Sequence, residues 1–154
     1  EEGITDGWGR ADTFAPAQDC TRAQIVTFLW RAAGSPVVNY LMPFADVDEG
    51  AWYAEAVRWA ASEGIAAGYG RSDLFAPDAP CTRAQAVTFL FRALEGEAGE
   101  SSFSDVPAGA FYADAVGWAW ENGITEGIGG GKFGPDLTCQ RAQIVTLLYR
   151  ALVK

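Results

Sequence analysis

Three arginines occupy the same place in three copies of one segment. Arg22, Arg83 and Arg141 stand in Thr21-Arg22-Ala23-Gln24, Thr82-Arg83-Ala84-Gln85 and Gln140-Arg141-Ala142-Gln143. Each four-residue run has the form of a helix start. A helix start presents unbonded amide N–H groups and a partial positive charge, which together make a seat for a carboxylate. A guanidinium beside it can grip the same carboxylate through two parallel hydrogen bonds. Arginine is poorly placed against the positive end of its own helix, so its recurrence there asks for a partner. Two readings stand open. The partner is an anionic ligand, or it is a nearby acid such as Asp46 or Asp105, or a backbone carbonyl. Asp46 and Asp105 have a structural reading of their own, as capping or turn residues.

The elements that must hold these arginines are legible in the repeat. Phe14 to Arg31 (FAPAQDCTRAQIVTFLWR) returns at Phe75 to Arg92 and again at Phe133 to Arg150. The cysteines Cys20, Cys81 and Cys139 lie 61 and 58 residues apart, so the chain is a tandem array whose units share a core with their neighbours. In repeats one and two, Thr21 with Gln24 and Thr82 with Gln85 form a capping box of the T-x-x-Q type. Gln140 replaces the threonine in repeat three and is a poorer cap. Along the following helix Ala23, Val26, Leu29 and Ala33 recur at helical spacing, widened by Ile25 and Phe28, so this trailing helix is core. A leading helix is expected in each full repeat. It runs from Phe44-Ala45-Asp46-Val47 through Trp52, Tyr53, Val57 and Trp59 to Glu63-Gly64-Ile65. In repeat three it runs from Phe103-Ser104-Asp105-Val106 to Asn122-Gly123-Ile124. Gly64 and Gly123 are placed to stop it, and Trp59 and Trp118 read as packing aromatics. A Gly-rich loop joins the two helices and carries Trp8, Tyr69 or Ile128, each either an exposed platform or a packed side chain.

Composition narrows the chemistry. The 154 residues are 49% apolar and carry a net charge of −9 with no histidine, which removes the commonest general base and metal ligand. That acidity argues against nucleic acid, and no apolar run approaches the roughly 18 residues of a membrane span. No catalytic constellation, cofactor motif or metal cluster is present. The three cysteines read as small buried hydrophobes before each helix. A thiolate metal site or a disulfide would need them to converge. Glu2-Gly3-Ile4 matches Glu63-Gly64-Ile65, so the chain is expected to be a processed or excised piece of roughly two and a half repeats. An empty helix position in the first repeat would leave an apolar face for a neighbouring molecule, in a homo-oligomer, to cover.

The pattern F-x-D-V … W-Y-x-x-A-V-x-W-A-x-x-x-G-I … G-Y-G … F-x-P-D … T-R-A-Q resembles the S-layer homology repeat of bacterial surface proteins, over essentially the whole chain. The resemblance implies an all-α fold of tandem helix-loop-helix repeats in a pseudo-threefold bundle with projecting loops. The units would be a partial repeat over 1–34, lacking its first helix, and full repeats over 41–96 and 101–154, together one compact domain. It further implies an extracellular location at the cell wall or S-layer. There the family attaches surface proteins non-covalently to a secondary cell-wall polysaccharide, often through a terminal pyruvylated N-acetylmannosamine. Carried onto this sequence, the pyruvyl carboxylate falls to Arg83 with Thr82, Gln85 and Tyr69. The other copies offer Arg22 with Thr21, Gln24 and Trp8, and Arg141 with Gln143. The family's commonest motif is T-R-A-E, and all three copies here have Gln, which keeps the capping box and makes the groove less negative. Repeat two retains every part, so its site is expected to be the best of the three. The competing function is a structural or oligomerisation module whose repeats only pack.

Overall fold

The computed structural model describes residues 18–68 and 72–153. Among the described residues five helices follow one another: α1 (Arg22–Ala32), α2 (Ala54–Ser62), α3 (Arg83–Ala93), α4 (Ala113–Glu121) and α5 (Arg141–Leu152). Among the described residues there is no sheet, only isolated bridges, so the fold is all-α. α1, α3 and α5 are the trailing helices, and each begins where its arginine stands. In α1 the Thr21 Oγ1 accepts from the Gln24 amide at 3.1 Å, and the Gln24 Oε1 accepts from the Thr21 amide at 2.9 Å. Thr82 and Gln85 make the same reciprocal pair, both at 3.1 Å. In α5 the Gln140 amide donates to the Gln143 Oε1 at 2.8 Å.

The leading helices are shorter than the sequence pattern suggests. Residues 44–53 and 103–112 form successive turns, and regular helix begins only at Ala54 and Ala113. Asp46 and Asp105 account for the difference. The two carboxylate oxygens of Asp46 accept the Phe75 and Ala76 amides, each at 2.8 Å. Those of Asp105 accept Phe133 at 2.8 Å and Gly134 at 2.9 Å. The acids therefore clamp the Phe-x-Pro loop of their own repeat, and a chain committed to that contact cannot run on as helix. At the other end the expectation holds: Gly64 and Gly123 sit at φ +76 and +70, just past the helix ends, where glycine is favoured.

The clamp has a pH signature. Burial works against ionisation of Asp105, but the Phe133 and Gly134 amides and the Lys132 charge outweigh it and hold the carboxyl below its ordinary range. A carboxyl with a depressed folded pKa stabilises the fold above its unfolded pKa of about 3.9, and that contribution is lost as pH falls through the folded value. Thermal melts stepped from pH 6 to pH 2.5 should show a fall in Tm below pH 4. Asp105→Asn should start lower and lose part of that slope.

One contiguous core takes side chains from all five helices, including Ile25, Val57, Val87, Val116 and Ile144. Trp59 and Trp118 are buried in it, as packing aromatics should be. α2 packs on α1 and α4 packs on α3, so each leading helix covers the trailing helix of the preceding repeat. The C-terminal halves of α1, α3 and α5 meet around Leu29, Leu90 and Leu148. Their N-terminal ends are tied by a closed cycle of backbone bonds. The Cys20 amide donates to the Cys139 carbonyl at 2.9 Å, Cys81 to Cys20 at 2.8 Å, and Cys139 to Cys81 at 2.8 Å. All three thiols are free and buried, and burial pushes those of Cys20 and Cys139 up to about 12. These are protonated, unreactive side chains serving as small hydrophobes.

Candidate inter-repeat groove

The same cycle governs the arginines. Arg22 sits at the first position of α1, yet its Nε donates to the Phe75 carbonyl of repeat two at 2.8 Å. Its guanidinium lies 4.8 Å from the Phe75 ring and 5.2 Å from that of Phe89. Arg83 repeats the arrangement one unit on, with Nε donating to the Phe133 carbonyl at 2.9 Å and the guanidinium 4.7 Å from the Phe133 ring. Arg141 lies 5.3 Å from the Phe28 ring of repeat one. All three are buried. For Arg22 and Arg83 the partner the sequence demanded is a carbonyl and an aromatic face in the next repeat, and for Arg141 an aromatic face in repeat one. A guanidinium over a ring is a favourable way to bury charge.

The helix starts themselves are occupied. In α1 the amides of Arg22 and Ala23 donate to the carbonyls of Ala79 and Pro77, at 2.9 and 3.0 Å. In α3 the amides of Arg83 and Ala84 donate to Leu137 and Pro135, at 2.8 and 3.0 Å. The third amide of each goes to its cap threonine. The expectation that these N-termini offer free amides to a carboxylate therefore needs correcting for α1 and α3. The following repeat's loop fills the seat.

A groove lies open beside the junction of repeats two and three. It encloses about 490 Å³ between the start of α3, the loop of repeat three and the flank of α5, lined by Arg83, Thr125, Glu126, Gly127, Ile128, Ala142, Gln143, Thr146, Leu147 and Arg150. Of the residues picked from sequence, Arg83 and Gln143 come together here, from different repeats. Thr82 and Gln85, like Thr21 and Gln24, are engaged in their capping boxes. Trp8 and Tyr69 lie outside the described residues. The loop aromatic position facing Arg83 is Ile128 of the next repeat. Arg83 Nε is taken by Phe133, and among the described residues this is the only hydrogen bond its guanidinium makes. Burial lowers its pKa, but arginine remains charged at any working pH.

Arg150 and Thr146 are groove residues that motif reading passed over. Arg150 Nη1 donates to the Ile124 carbonyl at 3.4 Å, and Arg92 makes the equivalent bond to Ile65 at 3.1 Å. Both sit in the thrice-written segment, where Arg31, Arg92 and Arg150 recur as regularly as the helix-start arginines. That recurrence was the available signal.

A sequence model of the S-layer homology domain matches residues 43–87 and again 102–145. The chain belongs to the S-layer homology family. Among similar proteins is a "Cell surface protein" of Thermoanaerobacter kivui, 36% identical over 71% of this chain and 15% of that protein. A "Surface-layer 125 kDa protein" of Lysinibacillus sphaericus is 33% identical over 80% of the chain and 11% of its own length. An "Amylopullulanase" of Thermoanaerobacterium thermosulfurigenes is 29% identical over 99% of the chain and 8% of its own length. The chain thus spans a small fraction of these relatives. Membership of the S-layer homology family and these surface-protein relatives place the chain at the cell surface, associated with the wall. Among the described residues no helix is long and apolar enough to cross a membrane.

Proposed function

We propose that these S-layer homology repeats form a non-catalytic anchor that holds an anionic, pyruvate-bearing secondary cell-wall polysaccharide in the groove between repeats two and three. The observation that carries the reading is Arg83. It is a nearly fully buried cation on the groove wall, whose one hydrogen bond among the described residues uses Nε and leaves the Nη edge for a carboxylate. Arg150 and the Gln143 Nε2 stand around it as further donors, Thr146, whose hydroxyl proton goes to the Ala142 carbonyl, can accept, and the exposed Ile128 supplies apolar surface for a sugar ring. The copies built on Arg22, with Thr21, Gln24 and Trp8, and on Arg141 are proposed as weaker versions of the same site. The catalytic activity of an enzyme relative such as the amylopullulanase would belong to other parts of that protein.

The exposed Thr146 offers a test that leaves the core alone. Thr146→Glu puts a negative charge on the groove and should weaken retention on purified sacculi about tenfold, whereas Thr146→Lys should hold or strengthen it. Sacculi stripped of their secondary polymer should retain neither. Equal retention of both variants on intact sacculi would place the glycan elsewhere, or leave the repeats as a packing module.

A further inference from the structure

The two linkers between repeats differ in what they leave open. The second, which follows α3, carries Glu95, Glu97 and Glu100 and spends its backbone on its own chain. Its Gly96, Gly99 and Glu100 amides donate to the carbonyls of Phe91 and Asp114 and to the Glu121 carboxylate. The first, from Pro36 to Pro43 (PVVNYLMP), carries no charge in a chain of net charge −9. It runs without turn or bend, as a pair of valines and a residue before proline favour. The Trp30 indole pins its start by donating to the Pro36 carbonyl at 2.7 Å, and Val38 and Met42 pack against the core. On the outer side Val37 is 78% exposed and Leu41 90%, with Asn39 exposed between them. Among the described residues, the amides and carbonyls from Val37 to Met42 make no hydrogen bond within the chain. This strap is a strand held in shape with its ladder groups unpaired.

We infer that the strap pairs with the strap of a second copy of this chain, antiparallel, about a twofold axis through Asn39. Unpaired amides and carbonyls on an extended segment are a template for another strand, and an antiparallel strand is its own complement under a twofold axis. The alternation of exposed and packed side chains sets the register. Asn39 then faces the partner's Asn39, and Val37 faces the partner's Leu41. These are the two most exposed large apolar side chains among the described residues, and each covers the other. Charge points to the same occupant. Two copies of an acidic chain repel, and along this segment they bring no charge together. Proline at either end stops the ladder, so the contact is short. A contact of that size is weak in solution, but copies held side by side on one wall meet at a high effective concentration.

Sedimentation equilibrium of the 154-residue chain tests the pairing without any glycan. The average mass should climb from monomer toward dimer with a midpoint of about 100 µM. Amide exchange at residues 37–42 should be about threefold slower at about 300 µM than in dilute solution. The double variants Val37→Lys/Leu41→Lys and Val37→Glu/Leu41→Glu set like charges opposite one another, and each should associate about tenfold more weakly. Both positions are exposed, so the variants should melt with the parent. Mixed in equal amounts, the lysine and glutamate variants should recover the parent's association. A parent chain that stays monomeric at about 300 µM overturns the inference and leaves the strap to another partner or to none. A dimer that persists in both charged variants overturns it too, as does a mixture that stays monomeric.

Discussion

Arg83→Ala should cost the fold about 3 kcal/mol or more, an effect on the protein before it is an effect on any ligand. The side chain is nearly fully buried, so its removal leaves a cavity between repeats two and three. It also strips the Phe133 carbonyl of its donor and the Phe133 ring of its cation. An orphaned buried acceptor alone is worth about 1–3 kcal/mol. The motif by itself suggests a surface clamp whose loss would spare helicity. The structure makes it a latch, and helicity measured by circular dichroism on heating should fall several degrees earlier than in the parent chain. Arg83→Lys separates the two roles. It keeps the charge and most of the stem but cannot reach the carbonyl and the groove at once, so about half the stability loss should return. Sacculus retention should therefore be read at a temperature where every variant is folded. If Arg83→Ala melts with the parent, the latch is wrongly assigned.

Gly117→Ala should destabilise by about 3 kcal/mol, although alanine is the better helix former by about 1 kcal/mol. A Cβ at Gly117 would stand 2.0 Å from the Gly99 carbonyl oxygen and 2.1 Å from its carbon. Both are backbone atoms of the linker between α3 and α4, and backbone cannot rotate away as a side chain can. The linker is also tied down on either side: the Gly99 amide donates to the Asp114 carbonyl at 3.3 Å and the Glu100 amide to a Glu121 carboxylate oxygen at 2.7 Å. Gly109→Ala is the control, since a Cβ there meets nothing within 4 Å. In a chain of this length the first substitution should lower Tm by about 10 °C and the second should leave it within a degree or two. Matching melts for the two would show that the linker yields.

Repeat two makes the point sharper. At the position of Gly117 it carries Arg58, which reaches out to Glu49 and Glu55. Nothing in helix propensity distinguishes the two sites. The difference lies in the path of the linker, which in repeat three crosses the helix at backbone contact. A pattern reader sees a poor helix former inside a helix, and only the neighbouring segment explains it.

Much was legible along the chain because it depends on neighbours a few residues away. Capping boxes at Thr21 and Thr82, stopping glycines at Gly64 and Gly123, and the buried stripes of α1, α3 and α5 all follow from i to i+3 and i to i+4 relations. The period of the repeat likewise announced the family. The lengths of α2 and α4 were less legible, because the first turns were claimed by Asp46 and Asp105 for loops about thirty residues ahead. What only the tertiary structure decided is which repeat each part serves. A motif that recurs in each unit carries no record of whether its partner lies in its own unit or the next. The closed order of the three units fixes that: it sends the arginines across to Phe75, Phe133 and Phe28, and fills the amides of α1 and α3 from the following loop. Beside the Arg83 junction it leaves an open groove lined from repeats two and three.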